Sequence, residues 1–230
     1  MLIAGVDDAG RGSVIGPLTI AGVSVRQEQL PMLVQLGARD SKLLSSHRRE
    51  VLAVEIKRLS YNYDVEKLTP KQIDDIVFNG KRLFRLNRLE AQTMAKVINT
   101  LRPDMAYVDA SDVNEQRFKE HILEGLTRKI SIISEHKADR NYPIVGAASI
   151  LAKVERDKEI EKLKDIYGDF GSGYPSDPRT MRFLEECAQK WTEYPEFVRK
   201  SWKPAKKTRS RHGRRQAELT GHGQSNLQPS

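Results

Sequence analysis

Gly5-Val6-Asp7-Asp8-Ala9-Gly10-Arg11-Gly12-Ser13-Val14-Ile15-Gly16-Pro17-Leu18 decides how this chain is read. The apolar run Leu2–Val6 leads straight into Asp7, as a short buried strand opening on an acidic loop would. Gly10, Gly12 and Gly16-Pro17 punctuate a turn. Leu18–Val25, rich in Val, Ile and Thr, predicts a second strand.

Moving outward, the strand-then-aspartate pattern recurs. Met105–Val108 ends on Asp109, and the β-branched run Ile130–Ser134 is followed by Asp139 just before a helix. Tyr61–Val65 alternates and reads as a strand. Ser45 or Ser46 caps a helix over His47–Leu59, with Val51, Val54, Glu55 and Leu59 at helical spacing. Thr69-Pro70 starts another. Further helices are expected over Arg88–Leu101, Gln116–Leu126, Val145–Leu163 and Arg179–Lys190. Gly146, Ala147, Ala148 and Ala152 imply close backbone packing in the third of these. From Lys203 onward the chain is basic, then rich in Gly, Ser, Gln and Asn. It lacks apolar periodicity and reads as a disordered tail. The order of elements predicts an α/β domain with a helical C-terminal appendage.

Composition narrows the class. The 230 residues carry a formal net charge of +8, which favours polyanionic partners such as nucleic acid. One cysteine, Cys187, rules out an intrachain disulfide and a Cys-rich zinc site, and is expected to be a packed apolar residue. No apolar stretch approaches the ~20 residues a bilayer span needs, and Asp7 comes too early for a signal peptide. A soluble, cytoplasmic protein is the expectation.

The aspartates carry the chemistry. Carboxylates at strand ends converge at one edge of a sheet, and hard cations such as Mg²⁺ take oxygen ligands. Two such ions roughly 4 Å apart stabilise both the attacking and the leaving oxygen of a phosphoryl transfer. Any one strand-end aspartate is also explained as a turn residue bonding local backbone N–H groups. Asp7-Asp8 is less ordinary, because adjacent like charges repel without a cation.

The whole box Gly5–Leu18 closely resembles the N-terminal signature of the ribonuclease HII family. Asp40-Ser41-Lys42, Tyr107-Val108-Asp109 and Lys137-Ala138-Asp139 with Ala147–Val154 and Arg156-Asp157 resemble its later motifs, in family order. Gly171-Ser172-Gly173-Tyr174-Pro175-Ser176-Asp177 resembles its tyrosine-bearing loop. The resemblance covers roughly residues 1–202 and looks like the archaeal branch. One departure stands out: the family usually has glutamate where this chain has Asp8, one methylene shorter.

The resemblance implies a ribonuclease H-like mixed β-sheet flanked by helices. It implies an endoribonuclease that hydrolyses the RNA strand of RNA–DNA hybrids and cuts 5′ to ribonucleotides embedded in duplex DNA, leaving 5′-phosphate and 3′-hydroxyl ends. Asp7, Asp8, Asp109 and Asp139 would hold two Mg²⁺ or Mn²⁺ ions. Gly10, Arg11 and Gly12 would bond the ribose 2′-hydroxyl through the backbone, with Arg11 holding phosphate; a bare Gly-Arg-Gly is also a tight turn. Tyr174 would meet the ribose at the junction, although such a tyrosine read alone is a packing anchor. Lys42 would touch phosphate, and Ser149, Lys153 and Arg156, on one helix, would line the duplex groove, Ser149 and Lys153 being four apart on one face. His136 is a candidate proton relay.

The expected parts are a catalytic domain over 1–154, a helical part over 155–204 packing on it, and a basic tail over 205–230 that adds salt-dependent affinity for nucleic acid. Gln224 and Leu227 match the start of a sliding-clamp peptide, but the aromatic pair such a peptide requires is absent. A monomer is expected. Two rivals stay open: a metal-dependent nuclease acting on DNA junctions, and a hybrid-binding protein whose catalysis is weakened because Asp8 replaces glutamate.

Overall fold

The structure is a computed structural model that describes residues 1–38, 44–78 and 84–221. Five strands form one sheet: β1 (Leu2–Ala9), β2 (Leu18–Arg26), β3 (Asn62–Leu68), β4 (Met105–Asp109) and β5 (Ser131–Glu135), in the order β3-β2-β1-β4-β5. β1, β2 and β3 are antiparallel neighbours, whereas β4 and β5 run parallel to β1, so the sheet is mixed. The helices are α1 (Leu30–Gln35), α2 (Ser46–Leu59), α3 (Pro70–Phe78), α4 (Phe84–Leu101), α5 (Glu115–Glu124), α6 (Ala138–Asn141), α7 (Pro143–Tyr167), α8 (Pro178–Lys190) and α9 (Lys203–Gly221).

Both faces of the sheet are covered, which is why β1 and β2 read as nearly continuous apolar runs. One face packs Ile3, Val23 and Val25 against Ala147, Ala148 and Leu151 of α7, with α1 and α2 behind. The other packs Val6, Leu18 and Ile20 against Met94 and Ile98 of α4 and Phe118 of α5. A third cluster joins Val14, Ile15 and Ile160 to Phe170, Leu184, Phe197 and Val198 and ties the C-terminal helices to the first loop. The small residues of α7 let backbones approach: a Cβ on Gly146 would overlap the carbonyl of Ala38.

Local signals set the element ends. Ser45 caps α2 by accepting from the Arg48 N–H, at 3.2 Å. Thr69 and Gln72 form a reciprocal capping box at the start of α3. Asp177 caps α8 with Pro178 at its first position.

Several expectations are corrected. Helix α2 buries Leu52, Ala53 and Ile56, while Val51 and Val54 face solvent. Pro31 sits in the first turn of α1, a helix that the sequence reading did not assign. The segment from Lys203 is helical to Gly221 rather than irregular, and its buried residues Ala205 and Thr208 lie against the C-terminal cluster. Helix α7 runs unbroken through Val154 and Glu155, so the catalytic layer and the C-terminal helices share it.

Candidate active site

Because side chains alternate along a strand, Asp7 and Asp8 point to opposite faces of the sheet. Asp7 faces α7, where Ser149 hydrogen-bonds it. β1 and β4 are paired in register up to Val6 and Val108, which places Asp7 next to Asp109 on the same face. Burial, then the charges of Asp8 and Asp109, push the Asp7 carboxyl well above the usual 3.8. Asp109 Oδ1 accepts the Ala138 N–H at 2.9 Å, and Asp139 follows, buried in the first turn of α6.

Asp8 faces α4 instead. Its carboxyl hydrogen-bonds Glu90, and its Oδ1 accepts from Ser111 Oγ at 3.1 Å. Burial raises Asp8, while Glu90, Arg11 and Ser111 pull the other way. Glu90 is fully buried, and desolvation, helped by the charge of Asp8, pushes it up to about 8. Two carboxyl groups hydrogen-bond each other only through a shared proton, as such an elevation allows.

These residues line a cleft of about 310 Å³, formed by Asp7, Asp8, Ala9, Gly10, Arg11, Gly12, Asp109, Ser149, Lys153 and Tyr174. The aspartates form its floor. The Gly10–Gly12 loop and Tyr174 form its rim. Gly10 has φ +91°, and a Cβ there would crowd the carbonyl of Pro17. The Arg156 guanidinium lies 4.5 Å from the Tyr174 ring centre and donates to the Ser172 carbonyl at 2.6 Å, holding the tyrosine from behind. Gly173 accepts from Val14 and Ile15 and zips the two loops together. Lys153 is drawn to Asp157, at 2.6 Å, and burial lowers its pKa.

The cleft thus gathers most of the residues singled out in the sequence. Asp139 does not line it, and Lys42 lies outside the described residues. His136 is turned away, its Nδ1 3.0 Å from the Ala110 carbonyl. Arg11 does not reach outward: Nε donates to Glu90 at 3.0 Å and Nη2 to Asn87 at 2.6 Å. Glu90 and Ser111 were not anticipated. For Glu90 a signal existed, because a charged residue interrupts the buried stripe Leu86, Ala91, Met94, Val97.

Among the described residues, no three His, Cys, Asp or Glu side chains form a ready-made cage for a metal ion. The donor set nevertheless suits a hard cation. Mg²⁺ is held by one or two carboxylates together with waters and substrate phosphates. Buried Asp7 beside half-buried Asp109 is a pair of like groups that such an ion would relieve.

The ribonuclease HII family profile matches residues 4–205. The ribonuclease HII of Thermococcus onnurineus is 50% identical over 209 residues, covering 90% of this chain and 89% of its own. The crystal structure of the ribonuclease H2 from Pyrococcus horikoshii is 45% identical, with a TM-score of 0.85 over 93% of this chain and 99% of that one. The ribonuclease HII solved as a complex with PCNA from Archaeoglobus fulgidus is 42% identical, with a TM-score of 0.80 over 90% of this chain and 96% of that one.

Proposed function

The chain belongs to the ribonuclease HII family, and from that premise we propose how its cleft carries out the family's reaction. The protein is a divalent-metal-dependent endonuclease that hydrolyses the RNA strand of RNA–DNA hybrids. Its substrate range, on this proposal, includes duplex DNA with a single embedded ribonucleotide, cut on the 5′ side. The observation that carries the assignment of the site is Asp7 beside Asp109 beneath a glycine rim.

Asp7 and Asp109, with Asp8 and Asp139, would hold two Mg²⁺ or Mn²⁺ ions, which would supply Lewis acidity for activating water and for the leaving 3′-oxygen. Ser149 orients Asp7, and the Ala138 N–H orients Asp109. The Gly10–Gly12 backbone meets the 2′-hydroxyl, Tyr174 packs at the ribose junction, and Lys153 contacts phosphate, a role the sequence resemblance also gives Lys42, which lies outside the described residues. The catalytic part, taken as residues 1–154, continues without a break along α7 into the packing part 155–204, and the basic segment 205–230 adds affinity for the nucleic-acid backbone.

No helix among the described residues is long and apolar enough to cross a membrane, and a cytoplasmic monomer is the accompanying proposal. A PCNA contact, of the kind the Archaeoglobus relative was solved in, is a second reading that rests on Gln224 and Leu227 alone, since the aromatic pair a sliding-clamp peptide requires is absent from this sequence. Deleting residues 222–230 and measuring PCNA binding tests it.

The deciding assay offers a duplex with one ribonucleotide, across Mg²⁺ and Mn²⁺. Cutting 5′ to the ribonucleotide is expected. Cleavage of all-DNA junctions without cleavage of that duplex would favour the junction nuclease, and metal-independent binding without cleavage would favour the binding protein.

A further inference from the structure

Arg11 is anchored at both ends by residues far along the chain. Its guanidinium is held by Glu90 and Asn87 of α4, as above. Its carbonyl accepts from Arg199 Nη1 at 2.9 Å. Arg199 Nε also donates to the Gly16 carbonyl at 3.1 Å, at the far end of the same loop, and the Arg199 N–H donates to the Val14 carbonyl at 2.8 Å. One arginine therefore spans the loop from below, while one glutamate holds it from the side.

Glu90 and Arg199 are both fully buried, and neither lines the cleft. Burying a charge costs several kcal/mol even after relaxation. Arg199 bears part of that cost without full compensation, since its Nη2 has no partner among the described residues. Packing alone would be served better by apolar side chains. What these two side chains accomplish is local: Glu90 holds the Arg11 side chain and Arg199 its carbonyl, beyond the Ser13 N–H and Oγ that already hold the Gly10 carbonyl. Gly10 and Gly12 have no side chains, so Arg11 is the one side-chain anchor between them.

We propose that Glu90 and Arg199 are positioning residues that hold the Gly10–Gly12 backbone in the geometry by which it separates ribose from deoxyribose. This rests on the reading above that the loop meets the 2′-hydroxyl. The distinction is steep in distance, because a hydrogen bond weakens sharply once its donor and acceptor drift from about 3 Å. A loop released from either anchor still presents the same groups, but no longer at one fixed place. Selectivity is then lost before general affinity, since phosphate contacts are sequence- and sugar-independent.

The test compares E90Q and R199K with the unaltered protein. E90Q keeps the shape and replaces a carboxyl oxygen with an amide donor that cannot accept from Arg11; R199K keeps the charge and removes the fork that spans two carbonyls. Affinities for an RNA–DNA hybrid and for an all-DNA duplex of the same sequence are measured with Ca²⁺, alongside thermal unfolding. In each variant the preference for hybrid is expected to fall about tenfold while all-DNA affinity stays within about threefold. R11K, altered at the half-exposed end of the same tether, is expected to show the same loss and serves if a buried variant fails to fold. An unaltered protein with no preference for hybrid would remove the underlying reading of the loop. A clear preference that survives in the variants would overturn the positioning role, and so would an equal loss of affinity for both duplexes.

Discussion

Gly5 of β1 packs directly on the carbonyl of Ile144 at the start of α7, so closely that a Cβ would overlap it. This contact seats α7 on the sheet and brings Ser149 to Asp7. Gly5→Ala is therefore expected to cost about 1–3 kcal/mol of stability. It should also lower turnover in the molecules that remain folded. Denaturant unfolding and specific activity, measured on the same preparation, separate the two effects.

Asp109→Asn is expected to reduce cleavage about 100-fold or more while sparing hybrid binding. Asp139→Asn should do the same, although Asp139 is buried beside the cleft without lining it. Unchanged turnover in either variant would exclude that residue from the metal site.

The elevated carboxyls of Asp7 and Asp8 give a pH signature. A carboxyl raised in the fold keeps a proton that the unfolded chain has already released, so its contribution to stability falls as pH rises above 3.8. A bound divalent ion takes the place of that proton. Added Mn²⁺ should accordingly raise the thermal midpoint more at about pH 8 than at about pH 5. An equal rise at both would contradict a cation site at these aspartates.

Tyr174 is supported by Arg156 through the face of its ring. Tyr174→Phe keeps that face and should retain the fold of the rim. Tyr174→Ala removes it and is expected to cost about a further tenfold in kcat/KM. Steady-state kinetics on a single-ribonucleotide duplex would show the difference.

Asp177 links the tyrosine loop to α8. The Ser172 N–H, the Arg179 N–H and the Arg179 charge hold its carboxyl down to about 2, against a partial opposing effect of desolvation. A carboxyl lowered in the fold contributes stability that is complete above 3.8 and is lost as pH falls toward 2. The thermal midpoint of Asp177→Ala should lie below that of the unaltered protein near neutrality, and the gap should close through this acid window.

Much of the architecture was legible because it is written in local pattern. All five strands lie close to where alternation and apolar runs put them, although β1 runs on through Asp7 and Asp8 to Ala9 where an acidic loop was expected, and Ser45 and Thr69 mark helix starts that the structure confirms. Which face of α2 is buried was not legible in the sequence, for a local reason. Val51 and Val54 are as apolar as Leu52 and Ile56, and spacing alone does not say which stripe meets α7. Helix α9 was missed because its sequence shows no apolar stripe, and Ala205 and Thr208 acquire their buried neighbours only from α8 and the C-terminal cluster.

By itself the sequence determined the alternation of strands and helices, the glycine rim, and the identity of the acidic residues, since each is a property of a short stretch of chain. Only the tertiary structure decided how those acids divide. The pleat of β1 sends Asp7 toward Asp109 and Ser149, and sends Asp8 the other way toward Glu90, a residue 82 positions later that no local pattern joins to it. The same holds for Arg199, which reaches the Gly10–Gly12 loop only because the C-terminal segment folds back across the start of the chain. Long-range packing, not spacing, puts a buried glutamate and a buried guanidinium on either side of one arginine.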